Sequence, residues 1–194
     1  MTREQLEHLI RAAGVIANDT SIVVVGSQAI LGQFPDAPQT MRISVEADLF
    51  PLHHPERAEL IDGSIGELSP FHETFGYYAQ GVGETTARLP EGWRERLVVV
   101  QNANTGGVRG LCLEVHDLLV SKAIAGREKD IAFLREAARH RMAKRDILLH
   151  RLATVDAEES IRDSARGKIE RAFQAGDGPA PSKPEKGHSD APGA

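Results

Sequence analysis

The chain is poor in cysteine and in long apolar runs, and each shortage excludes a class of protein. A single cysteine, Cys112, rules out an internal disulfide framework and a multi-cysteine zinc site within one chain. No apolar run approaches the roughly 20 residues of a membrane-spanning helix. The charged N-terminal segment MTREQLEHLI has no hydrophobic signal-peptide region. We therefore expect a cytoplasmic protein with no membrane segment.

The charged residues are unevenly distributed along the chain. The whole sequence carries a formal net charge of −5, yet residues 127–151 contain eight basic and four acidic side chains. A basic segment of this kind attracts polyanions such as RNA. It is equally typical of a solvated helix face. The sequence leaves both interpretations open.

The N-terminal third alternates between helices and strands. Apolar residues at helical spacing predict a helix over residues 2–17. The β-branched run Ser21–Val25 predicts a strand that is buried on both faces. A Gly-Ser turn then leads into a short helix over residues 27–33, and an acidic strand is expected from Met41 to Phe50. Beyond this strand, Pro55 marks the first turn of another helix.

The rest of the chain changes from strands to helices. Residues 76–103 predict a β-meander of three strands, GYYAQGV, TTARL and RLVVVQN, and GLCLEV (residues 110–115) predicts one more strand. Four helices are expected over residues 117–125, 127–142, 143–154 and 157–174. The pattern predicts a mixed α/β (α+β) domain with flanking helices. We divide it into a core (1–115), a C-terminal helical block that completes the site (116–174) and a disordered tail (175–194) rich in proline, glycine and charge.

Two segments of the predicted core carry groups suited to a nucleotide and a metal ion. Glu46 and Asp48 are two residues apart, so a strand points both carboxylates to one side. Magnesium commonly takes one or two carboxylates together with substrate phosphates. Gly26 allows the backbone to approach a triphosphate, and the Ser27 hydroxyl and amide at a helix N-terminus are suited to a phosphate oxygen. These segments predict a metal–triphosphate site.

A later segment, DLLVSKAIAGREKDIAFL, supplies two further candidates. Lys122 lies in the middle of an apolar helix, where its ammonium group is a suitable point charge for a triphosphate. Asp130 follows the helix break at Gly126. Its carboxylate is suited to orienting Lys122, to acting as a further metal ligand or to serving as a base. The sequence does not decide among these three roles.

The order of these motifs resembles the nucleotidyltransferase fold of the DNA polymerase β superfamily. It is more closely similar to the AbiEii-type nucleotidyltransferases and to related nucleotidyltransferase-like proteins, over roughly residues 5–140. The resemblance implies Mg²⁺- or Mn²⁺-dependent transfer of a nucleoside monophosphate from an NTP to an acceptor hydroxyl. It implies phosphate binding by Ser27, metal binding by Glu46 and Asp48, and a site completed by Lys122 and Asp130.

The resemblance also implies partners and leaves one alternative. RNA, such as tRNA, is a possible acceptor on the basic helices of residues 127–151, and a protein partner is possible, as in a toxin–antitoxin pair. Glu46 stands where aspartate is usual, and no third strand carboxylate is evident beyond the weak candidate Glu114. These departures favour, as the alternative, a catalytically degenerate member that acts as a binding or regulatory partner.

Overall fold

A computed structural model describes residues 1–176, so the predicted tail lies outside the described residues from residue 177 onward. Five strands form one sheet: β1 (Ser21–Val25), β2 (Glu46–Pro51), β3 (Tyr78–Gly81), β4 (Val98–Val100) and β5 (Arg109–Cys112). The helices are α1 (Arg3–Ala17), α2 (Ile30–Gln33), α3 (Ala58–Ile65), α4 (Pro70–Phe75), α5 (Val115–Ala125), α6 (Glu128–Arg139), α7 (Arg145–Leu152) and α8 (Glu159–Gly176).

The sheet is mixed, with strand order β3-β2-β1-β5-β4. Strand β1 lies at its centre, antiparallel to β2 and parallel to β5. Strand β3 runs parallel to β2, and β4 runs antiparallel to β5. Every residue of β1 is buried, as its β-branched run predicts. The predicted mixed α/β fold is confirmed.

Helices cover the sheet and then form a C-terminal block. Helix α1 begins with a capping box between Thr2 and Gln5 and packs against the sheet and α3. Helices α5 to α8 pack on one another, close to the predicted bounds. One continuous cluster of buried apolar side chains joins the sheet to these helices. The division of the chain at residue 115 stays a prediction. Of the helices in residues 1–176, none has both the length and the apolar character needed to cross a bilayer.

The acidic strand is shorter than predicted. Strand β2 begins at Glu46, whereas the sequence predicts a start at Met41. Met41 instead ends a 3-10 turn, where its side chain is buried, and the Thr40 hydroxyl donates to Glu136 of α6. These contacts hold the segment against α6 and away from the sheet. Ser44 Oγ accepts the Glu46 backbone N–H at 3.1 Å, which fixes the start of the strand.

The predicted β-meander over residues 76–103 is wrong. Strands β3 and β4 form at its two ends, but β3 pairs with β2 and β4 pairs with β5 at opposite edges of the sheet. The segment TTARL forms no strand, and 3-10 turns occupy Glu84–Thr86 and Trp93–Arg96. The reason is tertiary: Arg96 donates to the buried carboxylate of Asp117, and this ion pair ties the connection to α5. The last predicted strand likewise ends early, at Cys112.

Two nearby glycines give a matched test of the packing between β3 and α3. A Cβ added at Gly81 would lie 1.9 Å from the backbone oxygen of Ala58, whereas one at Gly83 would meet nothing within 4 Å. We expect Gly81→Ala to lower the free energy of unfolding by about 1–3 kcal/mol, because backbone atoms must move. Gly83→Ala should change it by less than about 0.5 kcal/mol. Urea denaturation measures both values, and equal losses would contradict the close approach.

Candidate functional site

A cleft of about 700 Å³ opens where β1 ends. It lies between the acidic strand β2 on one side and helices α5 and α6 on the other. All six residues predicted for the site line this one cleft: Gly26, Ser27, Glu46, Asp48, Lys122 and Asp130. The fold therefore brings together side chains that are up to about a hundred residues apart in the sequence. Their catalytic and binding roles stay predictions.

The turn after β1 needs glycine for two reasons. Gly26 has a φ of 67°, in the left-handed region that favours glycine. A Cβ at this position would also lie only 1.8 Å from Oδ2 of Asp48. Ser27 then begins a 3-10 turn in place of the predicted regular helix, and α2 follows it. The turn thus places Gly26 directly against the Asp48 carboxylate of the neighbouring strand.

The two acids form one wall of the cleft. Asp48 lies opposite Val25 of β1, and Glu46 precedes it by two residues, so both carboxylates lie on the cleft face. The Tyr78 hydroxyl donates to Glu46 Oε2 at 3.0 Å. Burial, reinforced by the negative charge of Glu46, raises the pKa of Asp48 to about 6, although Lys122 acts in the opposite direction. The wall therefore holds two carboxylates that repel each other.

Lys122 stands on the opposite wall. Its Nζ donates to Ser27 Oγ at 2.8 Å and to Asp130 Oδ1 at 3.0 Å, and the residue is only 6% exposed. Burial lowers the pKa of Lys122, and the charge of Asp130 opposes that shift. The lysine thus connects the turn after β1 to the start of α6.

Asp130 is fully buried and paired through both of its oxygens. Oδ1 accepts from Lys122, while Oδ2 accepts from Arg127 Nε at 2.6 Å. Burial favours a higher pKa for Asp130, but the hydrogen bond from Arg127 and the charge of Lys122 outweigh it, so the pKa is lowered. Because both oxygens already contact cations, the geometry favours the orienting role over a metal ligand or a base.

Sequence reasoning missed several residues of the cleft. Gln80 of β3 is the register partner of Asp48, and Arg127 and Lys129 reach the cleft from the junction of α5 and α6. The spacing of Tyr78 and Gln80 on β3 is a usable signal, because side chains two apart share a strand face. That signal needs the parallel pairing of β3 with β2, which the sequence does not reveal.

The oxygen donors present fit a divalent cation that shares its coordination with a nucleotide. Glu46 and Asp48 offer two carboxylates, and magnesium often takes that number from the protein and the rest from phosphates and water. Across residues 1–176, no group of three or more His, Cys, Asp or Glu side chains is placed to hold a metal ion. Glu114, the weak third candidate, caps α5 and pairs with Arg151. Among the carboxylates that line the cleft in the described residues, Glu46 and Asp48 are the two that are not paired with a cation.

The chain matches a family model described as "Nucleotidyltransferase of unknown function (DUF6036)" over residues 4–174. The chain matches no curated protein and no solved structure. The matched range contains the sheet, the Gly-Ser turn, both strand acids and the lysine and aspartate of the helical block. The match therefore covers every residue that was predicted for the site.

The raised pKa of Asp48 predicts a gain in stability when this acid is neutralised. The folded protein binds the Asp48 proton more tightly than the unfolded chain does, with pKa values of about 6 and 3.8, so stability falls as pH rises through about 6. In the absence of metal, we expect the free energy of unfolding of Asp48→Asn to exceed that of the wild type by about 1–3 kcal/mol at pH 8. Below pH 4 this pH-dependent advantage should be absent.

Chemical denaturation in the presence of a chelator, from pH 4 to pH 8, measures this effect. Asp36→Asn, in the exposed loop before β2, is the matched control and should show no such pH-dependent gain. Parallel stability curves for Asp48→Asn and the wild type would contradict the prediction.

The pairing of Lys122 predicts a large cost for losing Asp130. Asp130→Asn leaves a buried ammonium without its counter-charge, and we expect it to lower the free energy of unfolding by about 3 kcal/mol. Arg127→Gln removes the other cation, whose side chain is 63% exposed, and should cost at most about 1 kcal/mol. Urea denaturation at pH 7 compares them. If Arg127→Gln lowers the free energy of unfolding as much as Asp130→Asn does, the loss does not come from leaving Lys122 without its counter-charge.

Proposed function

The chain belongs to this family of nucleotidyltransferases, and we propose that it transfers a nucleoside monophosphate from an NTP to an acceptor hydroxyl. One observation carries the proposal: the paired acids Glu46 and Asp48 face the buried cation Lys122 across a single cleft. A metal-bound triphosphate presents a cation to the acids and anionic oxygens to the lysine. The two walls of the cleft are complementary to such a ligand.

The basic wall is suited to holding the phosphates. An ammonium group has three hydrogen-bond donors, and Lys122 uses two of them on Ser27 and Asp130. The third is available to a phosphate oxygen. The Ser27 oxygen accepts from Lys122, so its own proton is free to be donated to the same ligand. Lys129, exposed at the mouth of the cleft, adds a second positive charge.

The acidic wall is suited to a magnesium or manganese ion. Glu46 and Asp48 would hold the ion, whose charge would offset their mutual repulsion. When bound, such an ion would act as a Lewis acid and draw electron density from the phosphoryl group. Tyr78 orients the Glu46 carboxylate, and the missing side chain at Gly26 leaves room for the Asp48 carboxylate.

In the proposed reaction the acceptor oxygen forms a bond to the α-phosphorus. The bond from that phosphorus to the oxygen bridging the β-phosphate breaks, pyrophosphate leaves, and the acceptor proton passes to solvent. Lys122 and Ser27 stabilise the charge that develops on the departing phosphates. Asp130 and Arg127 hold the lysine in position for this role.

From the sequence order of its motifs, we also propose that the chain is related to the AbiEii-type members of the DNA polymerase β superfamily. RNA stays a proposed acceptor. Several cations of residues 127–151 are neutralised internally, since Arg139 pairs with Glu136 and Arg151 pairs with Asp117. An RNA acceptor would therefore depend chiefly on the cations beside the cleft, such as Lys129.

A second candidate function is a catalytically degenerate partner protein, as in a toxin–antitoxin pair. Two observations favour it. Glu46 stands where aspartate is usual in the resembling families, and the register partner of Asp48 on β3 is the amide Gln80, which supplies no acid. A degenerate site would not be stabilised by a metal–nucleotide complex. A working site gains about 2.7 kcal/mol when the ligand reaches a hundred times its dissociation constant.

The catalytic proposal predicts transfer of label from an NTP. The protein is incubated with each α-labelled NTP, Mg²⁺ or Mn²⁺, and bulk tRNA or a lysate protein fraction as the acceptor. We expect label on a macromolecule, reduced about a hundredfold or more in Asp48→Asn, because the metal loses a ligand. Asp36→Asn, outside the cleft, should retain full transfer.

Two results would count against this function. Transfer that Asp48→Asn does not reduce would place the chemistry elsewhere. Absence of transfer together with an unchanged melting temperature in Mg²⁺ and any NTP would favour the degenerate partner. A rise in melting temperature without transfer would indicate that the tested acceptors were the wrong ones.

A further inference from the structure

A second cavity, of about 610 Å³, joins the cleft on the side of the Gly-Ser turn. It lies between residues 40–44 and helix α6, and we call it the side groove. Ser27, Ser44 and Lys129 line both cavities, so the two are continuous. The ring of Phe133, in the groove wall, also lies 4.6 Å from Lys122 Nζ. The groove therefore opens directly onto the proposed phosphate-binding groups.

The lining of the side groove is different in kind from that of the cleft. Most of its surface is apolar, and the apolar residues of its lining are Met41, Ile43, Ala132 and Phe133. Ile43 is 76% exposed, which is a large apolar surface to leave beside a charged cleft. The Thr40 hydroxyl donates to Glu136 Oε2 at 2.8 Å and bridges the two sides of the groove. Such a lining is unsuited to phosphate and suited to a flat apolar group.

The groove also carries polar groups at its edge. The Arg135 guanidinium makes no hydrogen bond or ion pair with any other side chain or carbonyl of the described residues. The side-chain contacts of Glu136 within residues 1–176 all use Oε2, so Oε1 is available as an acceptor. A guanidinium and a carboxylate side by side offer the donors and acceptors that the polar edge of a nucleobase pairs with.

We propose that the side groove binds the base of the nucleotide whose phosphates occupy the cleft. The inference rests on the proposed function and adds the location at which the nucleotide is recognised. A base has apolar faces and a polar edge, as the groove requires, and it is covalently joined to the phosphates that the adjoining cleft would hold. The groove volume is within the range of pockets that bind small molecules.

The test compares nucleotides with a ligand that has phosphates but no base. Ala132 is exposed on α6 and lines the groove, so Ala132→Trp fills it without removing a polar contact. Ala153, equally exposed but outside the groove, gives the matched control Ala153→Trp. Isothermal titration with Mg²⁺ measures the affinity for ATP, GTP, CTP, UTP and inorganic tripolyphosphate. Ile43→Ser, at the exposed rim, is a second variant that keeps the fold intact.

We expect the wild type to bind at least one NTP more tightly than tripolyphosphate. Ala132→Trp should lower the affinity for that NTP by about tenfold or more, because the base loses its apolar contacts. The affinity for tripolyphosphate should be unchanged. Ile43→Ser should weaken the binding of that NTP by a smaller factor and leave the binding of tripolyphosphate unchanged, and Ala153→Trp should change neither affinity. Melting temperatures verify that each variant is folded.

The outcomes separate this inference from the function on which it rests. If the wild type binds NTP and both groove variants bind it equally well, the base lies elsewhere and the inference is wrong while the function stands. If Ala132→Trp lowers the affinities for NTP and tripolyphosphate by the same factor, the groove has no role specific to the base, and the inference is wrong. If the wild type binds neither NTP nor tripolyphosphate, the proposed function fails, and this inference fails with it.

Discussion

The buried ammonium group of Lys122 is the constraint on which the site depends. A charge removed from water is costly unless it is paired and fully hydrogen-bonded. Here the partners come from separate elements: Asp130 from α6 and Ser27 from the turn after β1. Arg127 in turn pairs with Asp130. Helices α5 and α6 and the sheet must therefore meet in one arrangement, and that arrangement forms the cleft.

Among the described residues, the charges are paired on one wall of the cleft and unpaired on the other. On the helical wall the protein compensates its own charges, since Lys122 and Asp130 neutralise each other inside the fold. On the sheet wall burial, reinforced by the charge of neighbouring Glu46, raises the pKa of Asp48. Uncompensated charge that lowers stability is characteristic of sites arranged for a ligand. The acid pair is thus the part of the structure that is best explained by something bound.

The parts of the fold that local chemistry specifies could be predicted from the sequence. The capping box of α1, the β-branched run of β1 and the order of the site motifs each depend on a few adjacent residues. The failures all involve pairing over long distances. The Thr40 hydroxyl donates to Glu136 of α6, and this contact holds the segment before β2 away from the sheet. Strands β3 and β4 lie at opposite edges of the sheet. Gln80 was missed for the same reason, because only the pairing with β2 places it beside Asp48.

A hydrogen bond limits the freedom of Glu46, the glutamate that stands where aspartate is usual in the families that the chain resembles. A glutamate has one more rotatable bond than an aspartate, so its carboxylate is less fixed relative to the strand. Glu46 and Tyr78 are register partners on β2 and β3, and the tyrosine hydroxyl donates to Glu46 Oε2. Burial and this hydrogen bond raise the pKa of Tyr78 to about 12, so the phenol stays a donor at neutral pH. The longer acid is thereby held in one orientation, and its other oxygen is left for a ligand in the cleft.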